Sequence, residues 1–234
     1  MSLKVHYDLL SQPSRALVLF LKLNNISFQD CPVALRKGAH LTEEFAKVNV
    51  FQKVPYIEDG DFKLAETHAI FEYLAAKHCP ADHWYPKELR ARARVSEFLS
   101  WIHLNLRSFG SLYFRELVLK NRTNDVQNPL LAVASKRMET IQRNVERCLD
   151  ELENVFLSRG GDGPFLNGCD QPSVADLWCH AELEQIMITG YNVTVGRPKL
   201  ANFVEAVKRA AAPHYEEVYK YAHRLRDLYL SNKL

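Results

Sequence analysis

A hydroxyl held between the end of a strand and the start of a helix is well placed to stabilise an anion, and Ser11 occupies such a position. It lies in Asp8-Leu9-Leu10-Ser11-Gln12-Pro13-Ser14-Arg15, directly after Leu3-Lys4-Val5-His6-Tyr7. In that first stretch apolar Val5 and Tyr7 alternate with Lys4 and His6, as in a half-buried strand. Pro13 suits the first turn of a helix, where its missing N–H would be unpaired anyway. The helix amino end offers free N–H groups and a positive dipole end, so a hydroxyl there can hold a thiolate. Read alone, the same serine is equally a helix cap or a turn former.

The elements that must position Ser11 follow in order. An apolar helical run covers Ala16 to Leu23, and Ser27 to Val33 reads as a second strand. The helix between them is then a crossover, which makes the two strands parallel neighbours. Thr42 caps a short helix with Glu43 and Glu44 in its first turn. Lys53 to Glu58 and Phe62 to Leu64 flank Asp59-Gly60-Asp61, a hairpin signal. A helix from Glu66 to about Lys77 presents Ile70, Tyr73 and Leu74 on one face. The order to this point is βαβαββα.

Residues 79–87 lack periodicity and contain Pro80, Trp84, Tyr85 and Pro86, which marks a linker. Beyond it the chain is helical. Long apolar periodicities run from Glu88 to about Lys120 and from Leu130 to Leu157, separated by a turn-rich break at 121–129, as in an antiparallel pair within a bundle. Pro172-Ser173-Val174-Ala175-Asp176 carries a capping box, and two more helices span about Pro198 to Ala211 and Tyr215 to Leu230. The expected domains are 1–78, a linker at 79–87, and an all-helical domain at 88–234.

The 234 residues suffice for one large or two modest cores. With 30 basic and 28 acidic side chains the net charge is +2, which gives no reason to expect a nucleic-acid or acidic-membrane partner. No apolar run approaches the roughly 20 residues that span a bilayer. Five cysteines without a C-x-x-C pair suit reduced thiols in the cytosol better than disulfides or a metal site. The expected location is cytoplasmic.

The βαβαββα unit, linker and helical domain resemble a cytosolic glutathione transferase, with a thioredoxin-like amino-terminal domain. The stretches Asp8 to Arg15, Lys37-Gly38-Ala39-His40-Leu41, Lys53-Val54-Pro55, Glu66-Thr67-His68-Ala69-Ile70, Tyr85-Pro86 and Arg90 to Val95 resemble the theta class in particular. The resemblance covers nearly the whole chain. It implies glutathione as co-substrate, no metal, a small hydrophobic electrophile as second substrate, and a homodimer.

By the same resemblance Ser11 donates a hydrogen bond to the glutathione sulfur. Val54, before a cis proline, pairs through its backbone with the cysteinyl unit; an ordinary trans proline opening an edge strand is the alternative. Glu66 and Thr67 hold the γ-glutamyl ammonium and carboxylate, where a plain helix cap is the other reading. His40 and Lys53 reach the glycine carboxylate, though each alone reads as a solvated surface residue. Arg107 lies near the sulfur, and Phe109, Tyr113 and Phe114 supply apolar walls unless they are simply core. The last helix covers the site or merely packs on the bundle. Leu41, Val50, Thr67 and His68 depart from the family pattern.

Two other functions compete with conjugation. A glutathione-dependent thiol oxidoreductase would use a cysteine in the first loop, where Ser11 and Ser14 stand. A non-catalytic carrier of hydrophobic ligands would share the fold but has no physical need of a complete thiol site.

Overall fold

The computed structural model describes residues 2–119 and 131–232. A four-stranded sheet of order β2-β1-β3-β4 is formed by β1 (Lys4–Tyr7), β2 (Gln29–Pro32), β3 (Tyr56–Asp59) and β4 (Phe62–Leu64). β1 pairs parallel with β2, with Val5 opposite Asp30, and antiparallel with β3, with Val5 opposite Ile57. Val5 and Ile57 are both fully buried, so the sheet's inner face is anchored at one register position. β3 and β4 close through a two-residue turn in which Gly60 has φ +69°, a conformation that costs glycine nothing.

Helix α1 (Gln12–Leu23) makes the crossover from β1 to β2, as expected, and α2 (Glu43–Val48) is capped by Thr42 Oγ1, which accepts from Phe45 N at 3.2 Å. α3 (Thr67–His78) buries Ile70, Phe71 and Leu74, whereas Tyr73 is only partly buried and donates its hydroxyl to Asp59. Residues Ala16 to Leu21 are buried all round, because α1 packs against α3 within its own domain and against the helical domain on its other side. That second cover is α7 (Val174–Met187), in which every residue from Val174 to Ile186 is buried.

The stretch 79–87 is packed rather than loose. Trp84 and Tyr85 are buried, the Trp84 ring meets Phe20 edge-on at 6.0 Å, and His83 Nδ1 lies 2.5 Å from the Pro172 carbonyl. The single long helix expected over 88–120 is instead two: α4 (Leu89–Leu104) and α5 (Leu106–Phe114), followed by a wider π turn at Arg115–Leu119. The reason is local. Asn105 Nδ2 donates to Trp101 O at 2.8 Å and Ser108 Oγ to His103 O at 2.6 Å, so side chains take carbonyls that a continuing helix would use. Asn105 itself is non-helical, at φ −114° and ψ −104°.

α6 (Leu131–Glu151) runs into a second π turn at Leu152–Phe156; the expected break at 121–129 lies outside the described residues. The capping box at the start of α7 is present, with Ser173 N and Oγ both 2.7 Å from Asp176 Oδ2. α8 (Pro198–Ala210) and α9 (Tyr215–Leu230) complete the bundle, and α9 packs on both α1 and α7. No helix among the described residues is long and apolar enough to cross a membrane.

Candidate active site

The loop after β1 is fixed before any ligand arrives. Asp8 Oδ1 accepts from Leu10 N at 2.8 Å and Oδ2 from Leu35 N at 2.9 Å, joining this loop to the next one. Ser11 N donates to Asp8 O at 2.9 Å. Ser11 is the residue at the helix cap, 8% exposed, yet its side chain makes no capping bond, so its hydroxyl is left for the cavity that it lines. Behind it Arg15 is fully buried. Its guanidinium donates to Leu9 O (3.0 Å), Leu10 O (3.3 Å), Ala181 O (3.0 Å) and Gln185 Oε1 (2.9 Å), and sits 5.2 Å from the centre of the Tyr219 ring. A buried charge is tolerable when most of its donors are paired; the Nη1 and Nη2 bonds tie the loop to α7, while the buried Nε has no partner.

The cavity in front of Ser11 has a volume of about 570 Å³. One side carries Ser11, His40, Lys53 and Val54; the other carries Arg107, Ser111, Phe114 and Val118, and Leu225 of α9 closes an edge. A smaller cavity of about 130 Å³ shares Lys53, Val54 and Arg107 with it and reaches Glu66, Thr67, His103 and Trp178. The Val54-Pro55 bond is cis. Glu66 stands at the amino end of α3 with φ +67°, a region that non-glycine residues occupy at a cost of about 1–3 kcal/mol and mostly at functional sites. His40 Nδ1 is buried without a partner. Burial, and Arg107 beside it, hold His103 below its ordinary pKa, with Glu66 and Glu182 opposing.

Arg107, Ser111, Phe114 and Arg115 recur at helical spacing, and this face of α5 fronts the cavity. Arg107 Nη1 donates to Glu182 Oε1 at 2.9 Å. Glu182 is fully buried, takes a second bond from Trp178 Nε1 at 3.0 Å, and leaves Oε2 unpartnered. The other face of α5 turns away. Tyr113 lines neither cavity and meets Tyr191 edge-on at 5.8 Å, and Phe109 lies under the Arg147 guanidinium at 5.9 Å. Of the residues expected at the electrophile wall, Arg107 and Phe114 line the larger cavity and Tyr113 and Phe109 line neither, because residues 109 and 113 fall on the α5 face opposite 107, 111 and 114. Among the departures, Leu41 and Val50 are exposed outside both cavities, and His68 turns to the Tyr85 hydroxyl at 3.4 Å.

The family model for the glutathione S-transferase amino-terminal domain matches residues 3–76. Glutathione S-transferase theta-2 of Mus musculus is 42% identical over 89% of this chain and 81% of its own. The crystal structure of human glutathione transferase theta-2 in complex with glutathione and an unknown ligand superposes with a TM-score of 0.87 at 36% identity, over 99% of this chain and 92% of that one. A human theta-class transferase in complex with the glutathione conjugate of 1-menaphthyl sulfate gives 0.85 at 37%, over 100% and 90%. The chain belongs to the theta class of the glutathione transferases.

In this transferase several positioning residues escape a reading of the sequence for chemistry. Asp8 and Arg15 stand within the first motif yet have no role until the loop is seen folded. Glu182 and Gln185 sit in Val174-Ala175-Asp176-Leu177-Trp178-Cys179-His180-Ala181-Glu182-Leu183-Glu184-Gln185. Charged and amide side chains in so apolar a helix are a usable signal, since a buried carboxylate or amide demands a partner. Nothing in their spacing names Arg107 or Arg15 as that partner.

Proposed function

We propose that this transferase ionises glutathione beside Ser11 and conjugates it to small hydrophobic electrophiles, by substitution of halide or sulfate or by addition to an activated alkene. The sulfur lone pair forms the new carbon–sulfur bond and the thiol proton is released to solvent; in substitution the leaving group departs with its electron pair, and in addition the alkene π pair moves toward the activating group and the product takes up a proton. Ser11 serves as a hydrogen-bond donor to the thiolate. His40 and Lys53 take the glycine carboxylate, the Val54 backbone pairs with the cysteinyl unit, and Glu66 and Thr67 hold the γ-glutamyl end. Arg107 stands beside the sulfur at the entrance to the electrophile pocket, and Phe114 faces the electrophile. Residues 1–78 supply the glutathione half of the cleft and 88–234 the electrophile half, across 79–87, and the protein works as a cytoplasmic homodimer.

The observation that carries this reading is the Ser11 hydroxyl, at a helix amino end and on the wall of the larger cavity, making no capping bond. The Ser11→Ala variant tests it through the pH profile. A thiol of pKa about 8.5 is roughly 3% ionised at pH 7 and 1% at pH 6.5, so full ionisation gains about 30-fold and 100-fold respectively. The variant is expected to keep its fold and glutathione binding. Its kcat/KM should fall most at pH 6.5, and the deficit should shrink as the pH passes 8.5. A rate near that of the parent at pH 6.5 removes Ser11 from the mechanism.

A further inference from the structure

Among the described residues that line the larger cavity there is no acid. Its wall holds four permanently charged cations, Arg36, Lys53, Arg107 and Arg115, against apolar Leu35, Phe114 and Leu225. On the function proposed above, on which this inference rests, bound glutathione accounts for two of them: Lys53 meets the glycine carboxylate and Arg107 the thiolate, with Glu182 behind it. Arg36 and Arg115 are left over. Both are exposed at the cavity, and neither forms an ion pair with any described residue; the neighbouring Glu116 is engaged by Arg137 at 3.5 Å. We infer that Arg36 and Arg115 select electrophiles that carry an anionic group which the conjugate retains, such as a carboxylate or sulfonate on an apolar body.

The physical reason is a difference in desolvation. A neutral apolar electrophile entering the cavity displaces water from two guanidinium groups and gives nothing back. A carboxylate or sulfonate replaces that water with charge-assisted hydrogen bonds, and the planar guanidinium fork fits such a group two oxygens at a time. With a Debye length of about 8 Å at physiological ionic strength, the two charges also act across the cavity mouth on an approaching anion, and added salt weakens that attraction. This anion differs from a departing sulfate or halide, because it remains on the carbon skeleton after the carbon–sulfur bond has formed.

The test compares 4-(chloromethyl)benzoate with its methyl ester. In both, the thiolate displaces chloride from the benzylic carbon and chloride leaves with the bonding pair; the retained groups differ in charge, and the difference in intrinsic reactivity is removed by the normalisation that follows. Each enzymatic kcat/KM is divided by the rate with glutathione alone in the same buffer. The carboxylate should be preferred about tenfold, with the ratio falling as sodium chloride is raised, and a ratio below about threefold overturns the inference. The Arg36→Gln/Arg115→Gln double variant should bring the ratio near one, whereas Arg36→Lys/Arg115→Lys should retain part of it. Because the ratio is taken within each variant, a general loss of activity cancels. A preference that survives the double Gln variant assigns the selection elsewhere and sinks the proposal. Failure of the transferase reading shows differently, as no turnover of either compound by the parent enzyme, and this inference falls with it.

Discussion

The two sides of the cleft are held in place by opposite means. On the α1 side the Ser11 loop is backed by a polar network: Arg15 spans from Leu9 and Leu10 to Ala181 and Gln185, and stands over Tyr219. Tyr219 shares a hydrogen bond with His180 Nδ1 at 3.1 Å, and Glu184 accepts from Tyr215 at 2.7 Å. On the α5 side one ion pair, Arg107 with Glu182, is set into apolar contact, and Gly110 lets α5 lie directly against Ile186 of α7. Both sides lean on the same helix. The α1 side is therefore held by charge and hydrogen bonding and the α5 side mainly by shape, which on the proposed function suits a fixed thiol site facing a wall that can vary.

Removing Arg15 should break the polar side with the largest effect. Arg15→Leu leaves Leu9 O, Leu10 O and Gln185 without their donor in a buried setting, a loss of about 3–5 kcal/mol in urea or thermal unfolding. Conjugation at temperatures where the variant remains folded should drop as well, because the Ser11 loop loses its tie to α7. A variant that unfolds like the parent, with normal turnover, would mean that the network is incidental.

The contrast also explains what could be read in the sequence. The crossover helix with its parallel strand pair, the Thr42 and Ser173 caps and the Asp59-Gly60 hairpin were legible because each is decided by a short run of neighbouring residues, whereas the β1–β3 pairing that completes the sheet order was not. Ser11, His40, Lys53, Val54, Glu66 and Thr67 could be named because they lie at the ends of such elements and within stretches that resemble the theta class. The α5 side was less legible. Asn105 fits a helical periodicity, and it takes the competition of its amide for Trp101 O and of the Ser108 hydroxyl for His103 O to divide α4 from α5. Once the helix is divided, the face that carries Arg107 and Phe114 meets the cavity while Tyr113 and Phe109 turn elsewhere, a choice made by tertiary contacts that periodicity does not encode. Arg15 illustrates the same limit on the polar side: its partners lie 166 and 170 positions away.

The next effect sharpens the comparison through pH. His180 is fully buried between α7 and α9, and burial holds its pKa down at about 4, with Arg15 and Lys208 pushing the same way and Glu184 and Glu205 opposing. An imidazole that titrates at about 4 when folded and 6.5 when unfolded contributes stability in full above pH 6.5 and loses it as the pH falls toward 4. The loss is about 3 kcal/mol over that window, since each pKa unit corresponds to 1.36 kcal/mol. Glu184 is driven up by burial but drawn down to about 2 by His223, His180 and Tyr215, so its own loss begins below its ordinary value of 4.5. Asp176, raised to about 6 by burial, and His68 and His103, lowered by it, titrate in the same window, so the His180 contribution is read as the difference between parent and variant in urea unfolding between pH 6.5 and 4.5. The His180→Phe variant should show a flatter slope there than the parent, and equal slopes would assign the acid sensitivity to other groups.

The smallest effect tests the shape-dependent side. A Cβ at Gly110 would lie 3.1 Å from Ile186 Cδ1 and 3.2 Å from its Cγ1, tighter than ordinary contact but against the flexible end of a side chain. Gly110→Ala should consequently be near neutral, because the gain in helix propensity of about 0.8–1 kcal/mol offsets the displacement of Ile186. Gly110→Leu cannot be absorbed in that way and should cost about 1–3 kcal/mol as α5 is pushed off α7. The displacement moves Arg107, Ser111 and Phe114 together, so the KM for the electrophile should change while the KM for glutathione stays within about twofold, a shift of roughly 0.4 kcal/mol. If both constants moved in parallel, the two sides of the cleft would be mechanically one, and the division between a fixed thiol site and a variable wall would fail.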